Sequence, residues 1–168
     1  MTSFHWYAVR LKPRFERSVA FYLDWLRIEH FLPLQRLTRE SMHGIRSIEL
    51  PLFPGVVFCN CDARMRRSVM TIPGVLAFLN AVAEQDITDL RRIVEAGCPV
   101  QRWPYTSQGA TMIIEKGPLR GVKCILETTS GSGTPRFIFS IHILHRSLAL
   151  KVDHLAGFPY TRPRSKAS

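Results

Sequence analysis

The chain lacks the features of membrane and secreted proteins. None of its apolar runs approaches the roughly 18 residues that a membrane-spanning helix needs. Its first residues, MTSFHWYAVR, contain no basic segment followed by an apolar core, so they do not form a secretory signal. We therefore expect a cytoplasmic protein with no membrane partner, and its 168 residues suffice for one full domain or two small ones.

Cysteine is scarce, and the four that occur are Cys59, Cys61, Cys98 and Cys124. None of them forms the C-x-x-C pair of structural zinc sites, and a reducing compartment disfavours disulfides. Cys59 and Cys61 lie two apart on a predicted strand and so face the same side. We expect small buried side chains, no metal site and no cofactor.

Motifs of catalysis are also missing. The six histidines form no H-E-x-x-H pattern, and no serine or cysteine stands in a local nucleophile motif. The segment SGSGTP at 130–135 resembles a phosphate loop, but it has no Walker lysine and is predicted to join two strands. We therefore expect a protein that is not an enzyme.

Acidic residues are few relative to basic ones, 13 against 23, which gives a net charge of +10. The excess is +3 over residues 1–50, zero over residues 51–100 and +7 over residues 101–168. A basic surface of this size favours a polyanionic partner, most often nucleic acid. The alternative is that the charge serves solubility alone.

The first hundred residues alternate between strand and helix patterns. We predict strands at 5–11, 29–37, 47–61 and 75–80, helices at 14–27, 63–72 and 84–97, and a polar loop at 38–46. Before the last helix, this β-α-β-β-α-β order is the split-βαβ, ferredoxin-like arrangement of an α+β fold. Phe21 and Trp25 flank the apolar stripe of the first helix, where we expect them packed, with an extra contact surface as the alternative.

The remaining residues show a period of two. We read residues 98–108, which contain two prolines, as a linker. Four short strands follow, ATMIIEK, VKCILET, RFIFSIHI and SLALKV, and they predict a small closed barrel over 109–158. Residues 159–168 are predicted to be a disordered basic tail. The predicted domains are thus 1–97 and 109–158.

The segment PLFPGVVF at 51–58 fits neither a central strand nor a surface loop. Prolines remove ladder donors from a strand, whereas a loop does not usually expose so many apolar side chains. We predict a strand interrupted by a turn, with Phe53 exposed on an apolar lip. The alternative is that Phe53 and Phe58 both belong to the core.

The order of these motifs resembles the NusG family of transcription elongation factors. WYAVRLKPRFERSVAFYL, LPLFPGVVF and IPGV resemble its N-terminal (NGN) domain, and EKGPLRGVKCIL at 115–126 resembles its KOW motif. The resemblance covers about residues 5–156, with spacing closer to specialised antiterminators of the RfaH and UpxY type. It implies an NGN domain followed by an SH3-like KOW barrel.

Two positions depart from the family pattern. Val56 stands where the family usually has an aromatic residue after Pro-Gly, which reduces the apolar lip. Cys124 stands where a glycine usually follows, three residues beyond Gly121, which puts the turn geometry in question.

The resemblance implies binding to RNA polymerase, at the clamp helices of its largest subunit. Such a factor would stabilise the closed elongating state and suppress pausing or termination. The lip residues Leu52, Phe53, Pro54 and Val56 resemble the docking surface. Arg66, Arg67 and Ser68 lie near the position that relatives use against the opposite lobe, although a solvated basic face is the alternative.

The resemblance also places upstream or non-template DNA near Arg10, Lys12, Arg14 and Arg17. The KOW loop residues are Lys116, Gly117, Pro118, Arg120, Gly121 and Lys123, and the same barrel carries Arg136, Arg146 and Lys151. Relatives use this barrel to bind a small-subunit ribosomal protein, the termination factor Rho or nascent RNA. We expect Gly117 and Gly121 to have positive φ angles, which a purely structural turn would also require.

We expect the chain to be a monomer. Two rival interpretations of its function remain open. A KOW-type RNA-binding or ribosome-associated protein would explain the charge and the barrel, but not an apolar lip on a separate domain. A fold-switching or autoinhibited member would mask the lip with the barrel segment, although the β-branched strands at 136–144 favour a stable barrel.

Overall fold

The computed structural model describes residues 3–42, 44–127, 136–150 and 160–161. The predicted tip at 130–135 and Lys151 lie outside these residues, as does most of the predicted tail. The chain divides into two compact units, residues 1–87 and residues 88–168, and this division precedes the predicted boundary at residue 97. Within the described residues, no helix has the length and apolar character needed to cross a bilayer.

The first unit is a four-stranded antiparallel sheet with two helices and an inserted hairpin. Its elements are β1 His5–Leu11, α1 Glu16–Trp25, β2 His30–Phe31, β3 Leu34–Ser41, β4 Gly44–Pro51, β5 Val56–Cys61, α2 Ala63–Met70 and β6 Val75–Val82. The sheet order is β2-β5-β1-β6, with β3 and β4 paired only with each other. This order confirms the split-βαβ, ferredoxin-like prediction.

The prediction of a polar loop at 38–46 is wrong. Residues 34–51 form a hairpin whose register runs from Leu34 opposite Pro51 to Ser41 opposite Gly44. The polar composition suggested a loop, but a two-stranded hairpin can face water on both sides and needs no apolar alternation. Gly44, with a φ angle of 108°, supplies the left-handed backbone beside the hairpin tip.

The core of the first unit lies where the helices cover one face of the sheet. It combines Val9 and Val57 from the strands with Val19 and Leu23 from α1 and Val69 from α2. Of the stripe predicted for α1, Val19, Leu23 and Leu26 pack in the core, whereas Phe15 and Tyr22 are 36% and 40% exposed, so the stripe is confirmed only in part. By contrast, the side chains that flank it are exposed, Phe21 at 69% and Trp25 at 75%, so the packed reading of that pair is wrong.

Cys59 and Cys61 are both buried in this core, as the sequence predicted, with their Sγ atoms 3.8 Å apart. The hydrogen bond with Cys61, and then burial, raise the pKa of Cys59 well above the usual range of a thiol. Cys59 is therefore a packed apolar group with no exposed reactive thiolate.

The second unit is a six-stranded antiparallel sheet. Its elements are β7 Val100–Trp103, β8 Ala110–Ile114, β9 Lys123–Glu127, β10 Arg136–Ile141, a 3-10 turn His142–Leu144, β11 Arg146–Leu150 and β12 Tyr160–Thr161. The order is β12-β8-β9-β10-β11-β7, which confirms the four predicted strands β8 to β11. Helix α3, Glu84–Glu95, crosses the division between the two units.

Two segments predicted to lack structure contain strands. Residues 100–103, inside the predicted linker 98–108, pair with β11 from Val100 opposite Leu150 to Trp103 opposite Ser147. The flanking prolines bound this strand, and four residues are too few to show a period. Tyr160–Thr161, in the predicted tail, pair with β8, and such a short strand leaves no pattern in the sequence.

Candidate functional site

The interruption in PLFPGVVF is a tight turn. The Val56 N–H donates to the Phe53 carbonyl over 3.1 Å, and Gly55 has a φ angle of 75°. A four-residue turn with proline at its second position and a left-handed glycine at its third is a type II turn. The Pro54-Gly55 pair therefore turns the chain into β5, after β4 has ended at Pro51.

The turn is held on three sides by hydrogen bonds. The Gly55 N–H donates to the Glu16 carboxylate over 2.8 Å, and the Gly55 carbonyl accepts from the Leu11 N–H over 2.8 Å. Just before the turn, the Leu52 N–H donates to the Pro33 carbonyl over 2.9 Å. Glu16 is buried in the first turn of α1, where the helix dipole favours a carboxylate.

The apolar residues of the turn point inward. The exposed fractions are 5% for Leu52, 1% for Phe53 and 3% for Val56, and the Phe53 ring packs edge-on against Phe58 at 6.3 Å. The predicted exposure of Phe53 is therefore wrong, and the alternative that it belongs to the core with Phe58 is correct. Of the four lip residues, Pro54 alone is exposed.

Helix α2 presents the second set of predicted residues. Asp62 caps the helix, because its side chain accepts from the Arg64 and Met65 N–H groups over 2.9 and 2.8 Å. The cap fixes where the helix starts, and so it fixes the direction in which Arg67 and Ser68 project. Both of these side chains are exposed.

Arg66 differs from its neighbours because it is half-buried against aromatic rings. Its guanidinium carbon lies 4.8 Å from the centre of the Tyr7 ring and 4.9 Å from that of Phe78. The two rings themselves meet edge to face at 5.7 Å. Arg66 therefore ties α2 to β1 and β6 by cation–π contacts, and its charge is partly engaged within the unit.

Two shallow grooves flank α2, and Arg67 lines both of them. The first, of about 580 Å³, is lined by Ala63, Arg66, Arg67, Met70, Leu76, Ala77 and Phe78. The second, of about 520 Å³, is lined by Tyr22, Trp25, Leu26, Arg67, Ser68, Thr71, Ile72 and Pro73. Met70 and Leu76 are each 45% exposed, and sequence reasoning missed them because they resemble ordinary core residues of a helix and a strand.

The predicted basic cluster lies at the turn between β1 and α1. Arg10, Lys12, Arg14 and Arg17 are all exposed. The Lys12 N–H donates to the Gly74 carbonyl over 2.8 Å, so the IPGV turn supports this segment. Arg17 also forms an ion pair with Glu49, at 3.4 Å between Nη2 and Oε2.

The glycines of the KGPLRG turn have the predicted backbone. Gly117 and Gly121 have φ angles of 81° and 87°, and the Gly121 N–H donates to the Ile114 carbonyl over 2.7 Å. Lys116, Pro118, Arg120 and Lys123 are exposed around it. Cys124 lies in β9, beyond the turn, so the left-handed position is filled without a glycine at 124.

The same turn contacts the C-terminal part of α3. The Asp89 carboxylate accepts from the Lys123 N–H over 3.2 Å, and Arg92 donates to the Arg120 carbonyl over 3.2 Å. Burial, and then the charge of Asp89, raise the pKa of Cys124 to about 12. Residues 88–95 thus pack with the second unit.

A model of one protein family, described as "Transcription termination factor nusG", matches residues 4–93. This match spans more than half of the chain and includes the turn at 53–56, α2 and the basic cluster. The chain belongs to the NusG family. Its function therefore lies in transcription, and the family is one of transcription factors that bind RNA polymerase, not one of enzymes.

One solved structure supports the fold of this NusG-family protein, and a second match is weaker. The structure titled "Domain interaction in Thermotoga maritima NusG" matches with a TM-score of 0.52 at 16% identity, over 89% of this chain and 94% of that one. Conformation A of the MjSpt4:Spt5 complex matches with a TM-score of 0.33 at 13% identity, over 95% of this chain and 99% of that one. No curated protein sequence matches the chain.

Proposed function

We propose that this NusG-family protein is an elongation and antitermination factor of the specialised type. Its N-terminal unit binds the clamp helices of the largest RNA polymerase subunit and stabilises the closed elongating state. Its C-terminal unit acts as a KOW domain and recruits a ribosomal protein, Rho or nascent RNA. The observation that carries this proposal is the apolar groove beside α2, which lies within the residues that match the family.

The groove has the composition of a docking site. Met70 and Leu76 expose nearly half of their surface, and Phe78 and Ala77 continue the apolar lining. Full burial of one such side chain contributes about 1.5–3 kcal/mol. Arg67 at the rim supplies a charge that steers a partner and sets its register. A helix of the clamp would lay an apolar face in this groove.

This assignment replaces the side chain of Phe53 by the groove beside α2 as the docking surface. Phe53 is 1% exposed and packs on Phe58, so its side chain does not touch a partner. Of the polymerase-binding residues predicted from the sequence, those that are exposed are Pro54, Arg67 and Ser68. The turn held by Glu16 and the cap at Asp62 keep these contacts ordered, which reduces the entropy lost on binding.

The proposed mechanism is preferential binding. A factor shifts the balance between elongating and paused polymerase only by the difference in its affinity for the two states. A preference of about 1.4 kcal/mol changes their ratio tenfold. The proposal therefore needs no catalytic group.

Nucleic acid would contact the basic cluster at the turn between β1 and α1. Arg10, Lys12 and Arg14 are exposed and adjacent. Phosphate contacts of this kind set affinity and its salt dependence, and they carry no sequence information. In the C-terminal unit, the exposed Lys116, Arg120 and Lys123 form a second basic surface, which would contact the KOW partner.

The test measures binding of the full chain to purified core RNA polymerase. Leu76→Asp places a charge in the groove, and Ile113→Asp is a matched control, because the two residues are 45% and 43% exposed on strands of different units. We expect Leu76→Asp to weaken binding at least tenfold and Ile113→Asp to leave it unchanged. Equal affinities for both variants would exclude the groove as the docking site.

Measuring RNA binding beside polymerase binding distinguishes the proposed function from its rival. If the wild-type chain held RNA tightly but failed to bind the polymerase, an RNA-binding or ribosome-associated protein would replace the proposal. Shorter pauses of purified elongation complexes in the presence of the chain would support the elongation mechanism directly.

A further inference from the structure

The β3–β4 hairpin has two faces of different character. Strand alternation and the pairs Gln35–Leu50, Leu37–Ile48 and Arg39–Arg46 place one set of side chains on the same face. We call this set, Leu37, Ile48, Leu50, Arg39 and Arg46, the hairpin face. Arg36, Glu40 and Glu49 lie on the opposite face, together with the exposed Ile45, so the two faces differ mainly in charge.

The opposite face is tied to the body of the unit. The Glu49 carboxylate is bracketed by two guanidinium groups, with Arg36 at 3.3 Å from Oε1 and Arg17 at 3.4 Å from Oε2. Arg17 also donates to the Glu49 carbonyl over 3.4 Å. Because Arg17 belongs to α1, these contacts orient the base of the hairpin against the helix.

The hairpin face keeps apolar surface in water. Leu37, Ile48 and Leu50 are 41%, 37% and 46% exposed, although Leu37 and Ile48 stand directly opposite each other. A two-stranded hairpin is marginally stable in water on its own. Exposed aliphatic side chains on such a ribbon are typical of a surface that a partner covers.

Arg39 and Arg46 add an electrostatic cost in the free protein. They form a directly opposed cross-strand pair near the hairpin tip, and both are exposed. Like charges placed opposite each other destabilise a sheet. A partner that brings carboxylates to this position would remove the repulsion and replace it with ion pairs.

We propose that the hairpin face is the docking surface for an acidic amphipathic protein segment of the transcription elongation complex. Its carboxylates face Arg39 and Arg46, and its aliphatic side chains cover Leu37, Ile48 and Leu50. This inference rests on the proposed function, because it places the partner in the same complex. Nucleic acid is the less suitable occupant, because residues 34–51 contain no Phe, Tyr or Trp on which bases could stack, and phosphates do not cover aliphatic side chains.

Photo-crosslinking locates the partner. The full chain carries p-benzoylphenylalanine in place of Ile48 on the hairpin face, Ser47 on the opposite face or Met70 in the α2 groove. Each protein is bound to an elongation complex assembled from purified polymerase and a nucleic-acid scaffold. We expect position 48 to crosslink to a polymerase peptide rich in Asp and Glu, and position 47 to give no such product.

The three positions distinguish the two proposals. A crosslink from position 70 to the clamp without one from position 48 to protein overturns the hairpin inference and leaves the proposed function standing. A crosslink from position 48 to DNA or RNA overturns it in favour of a nucleic-acid contact. Absence of polymerase crosslinks from both positions overturns both proposals.

Charge variants separate docking from folding. Arg39→Gln and Ser47→Glu each lower the net charge by one, on opposite faces of the hairpin. We expect Arg39→Gln to weaken binding to the elongation complex at least fivefold and Ser47→Glu to change it less than twofold. Equal effects would mean that only the overall charge matters, which contradicts the inference.

Arg39→Glu provides the control for stability. It converts the repelling pair with Arg46 into an attractive one, so the variant should unfold at the same or a higher urea concentration than the wild type. Its binding should nevertheless fall at least tenfold. Unchanged binding by this variant would also contradict the inference.

Discussion

The backbone N–H of Gly55 donates a hydrogen bond of 2.8 Å to the buried carboxylate of Glu16. This contact joins the start of α1 to the turn between β4 and β5, two segments far apart in the sequence. The Leu11 N–H adds a second bond to the same glycine, so the turn is fixed to both the sheet and the helix. The exposed Pro54 at its tip is therefore held in a defined position.

Removing the Glu16 carboxylate should destabilise the first unit. Glu16→Ala leaves the Gly55 N–H without its acceptor, and we expect a loss of about 1–3 kcal/mol. Glu16→Gln keeps an acceptor oxygen and should recover at least half of that loss. Urea unfolding followed by tryptophan fluorescence measures both variants, and equal stabilities of Ala and Gln would show that the hydrogen bond contributes nothing.

Phe53 should behave as a core residue. Phe53→Ala removes a ring that is 1% exposed and packed on Phe58, and we expect a loss of about 3–5 kcal/mol in the free energy of unfolding. Pro54→Ala, next to it but exposed, should cost less than about 1 kcal/mol. If Phe53→Ala kept wild-type stability and lost only polymerase binding, an exposed anchoring role would be restored.

The cap of α2 should affect both stability and docking. Asp62→Ala leaves the Arg64 and Met65 N–H groups unpaired, which we expect to cost about 0.5–2 kcal/mol. Asp62→Asn retains a capping oxygen and serves as the matched control. Because fraying of the helix displaces Arg67, polymerase affinity should fall for the alanine variant and remain near wild type for the asparagine variant.

The cysteines should differ in reactivity. Burial and then Asp89 raise the pKa of Cys124 from 9.0 to about 12, so at pH 8 this group remains a protonated, enclosed thiol. Cys98 is only half-buried. Iodoacetamide at pH 8, followed by mass spectrometry, should modify Cys98 well before Cys124, whereas urea-unfolded protein should react at both sites at similar rates.

The raised pKa of Cys124 also sets the sign of a pH dependence. The stabilisation from its neutral thiol is fully present below the unfolded value of 9.0 and is lost as the pH rises towards about 12. Cys124→Val removes the titrating group. The difference in unfolding free energy between wild type and variant should therefore change between pH 9 and pH 11, and a constant difference would contradict the assignment.

Sequence patterns predicted the secondary structure where one face of an element is buried. Val19 and Leu23 follow the helical period on α1, and in β8 the buried Met112 and Ile114 alternate with the exposed Ile113. Residues 38–46, the outer part of the hairpin, escaped prediction because their described side chains are exposed on both strands and leave no such period. Residues 100–103 escaped because their strand depends on pairing with β11, more than forty positions later in the chain.

Some features of the candidate site follow from the local sequence, and others follow from packing between distant segments. Local sequence alone determined the turn at Pro54-Gly55, the positive φ angles of Gly117 and Gly121 and the basic segments, because backbone sterics and charge act within a few residues. Only the tertiary structure decided that Phe53 lies inside and that Met70 and Leu76 lie outside. Burial depends on which distant segments pack over a side chain. The local sequence around these three apolar residues does not specify those segments.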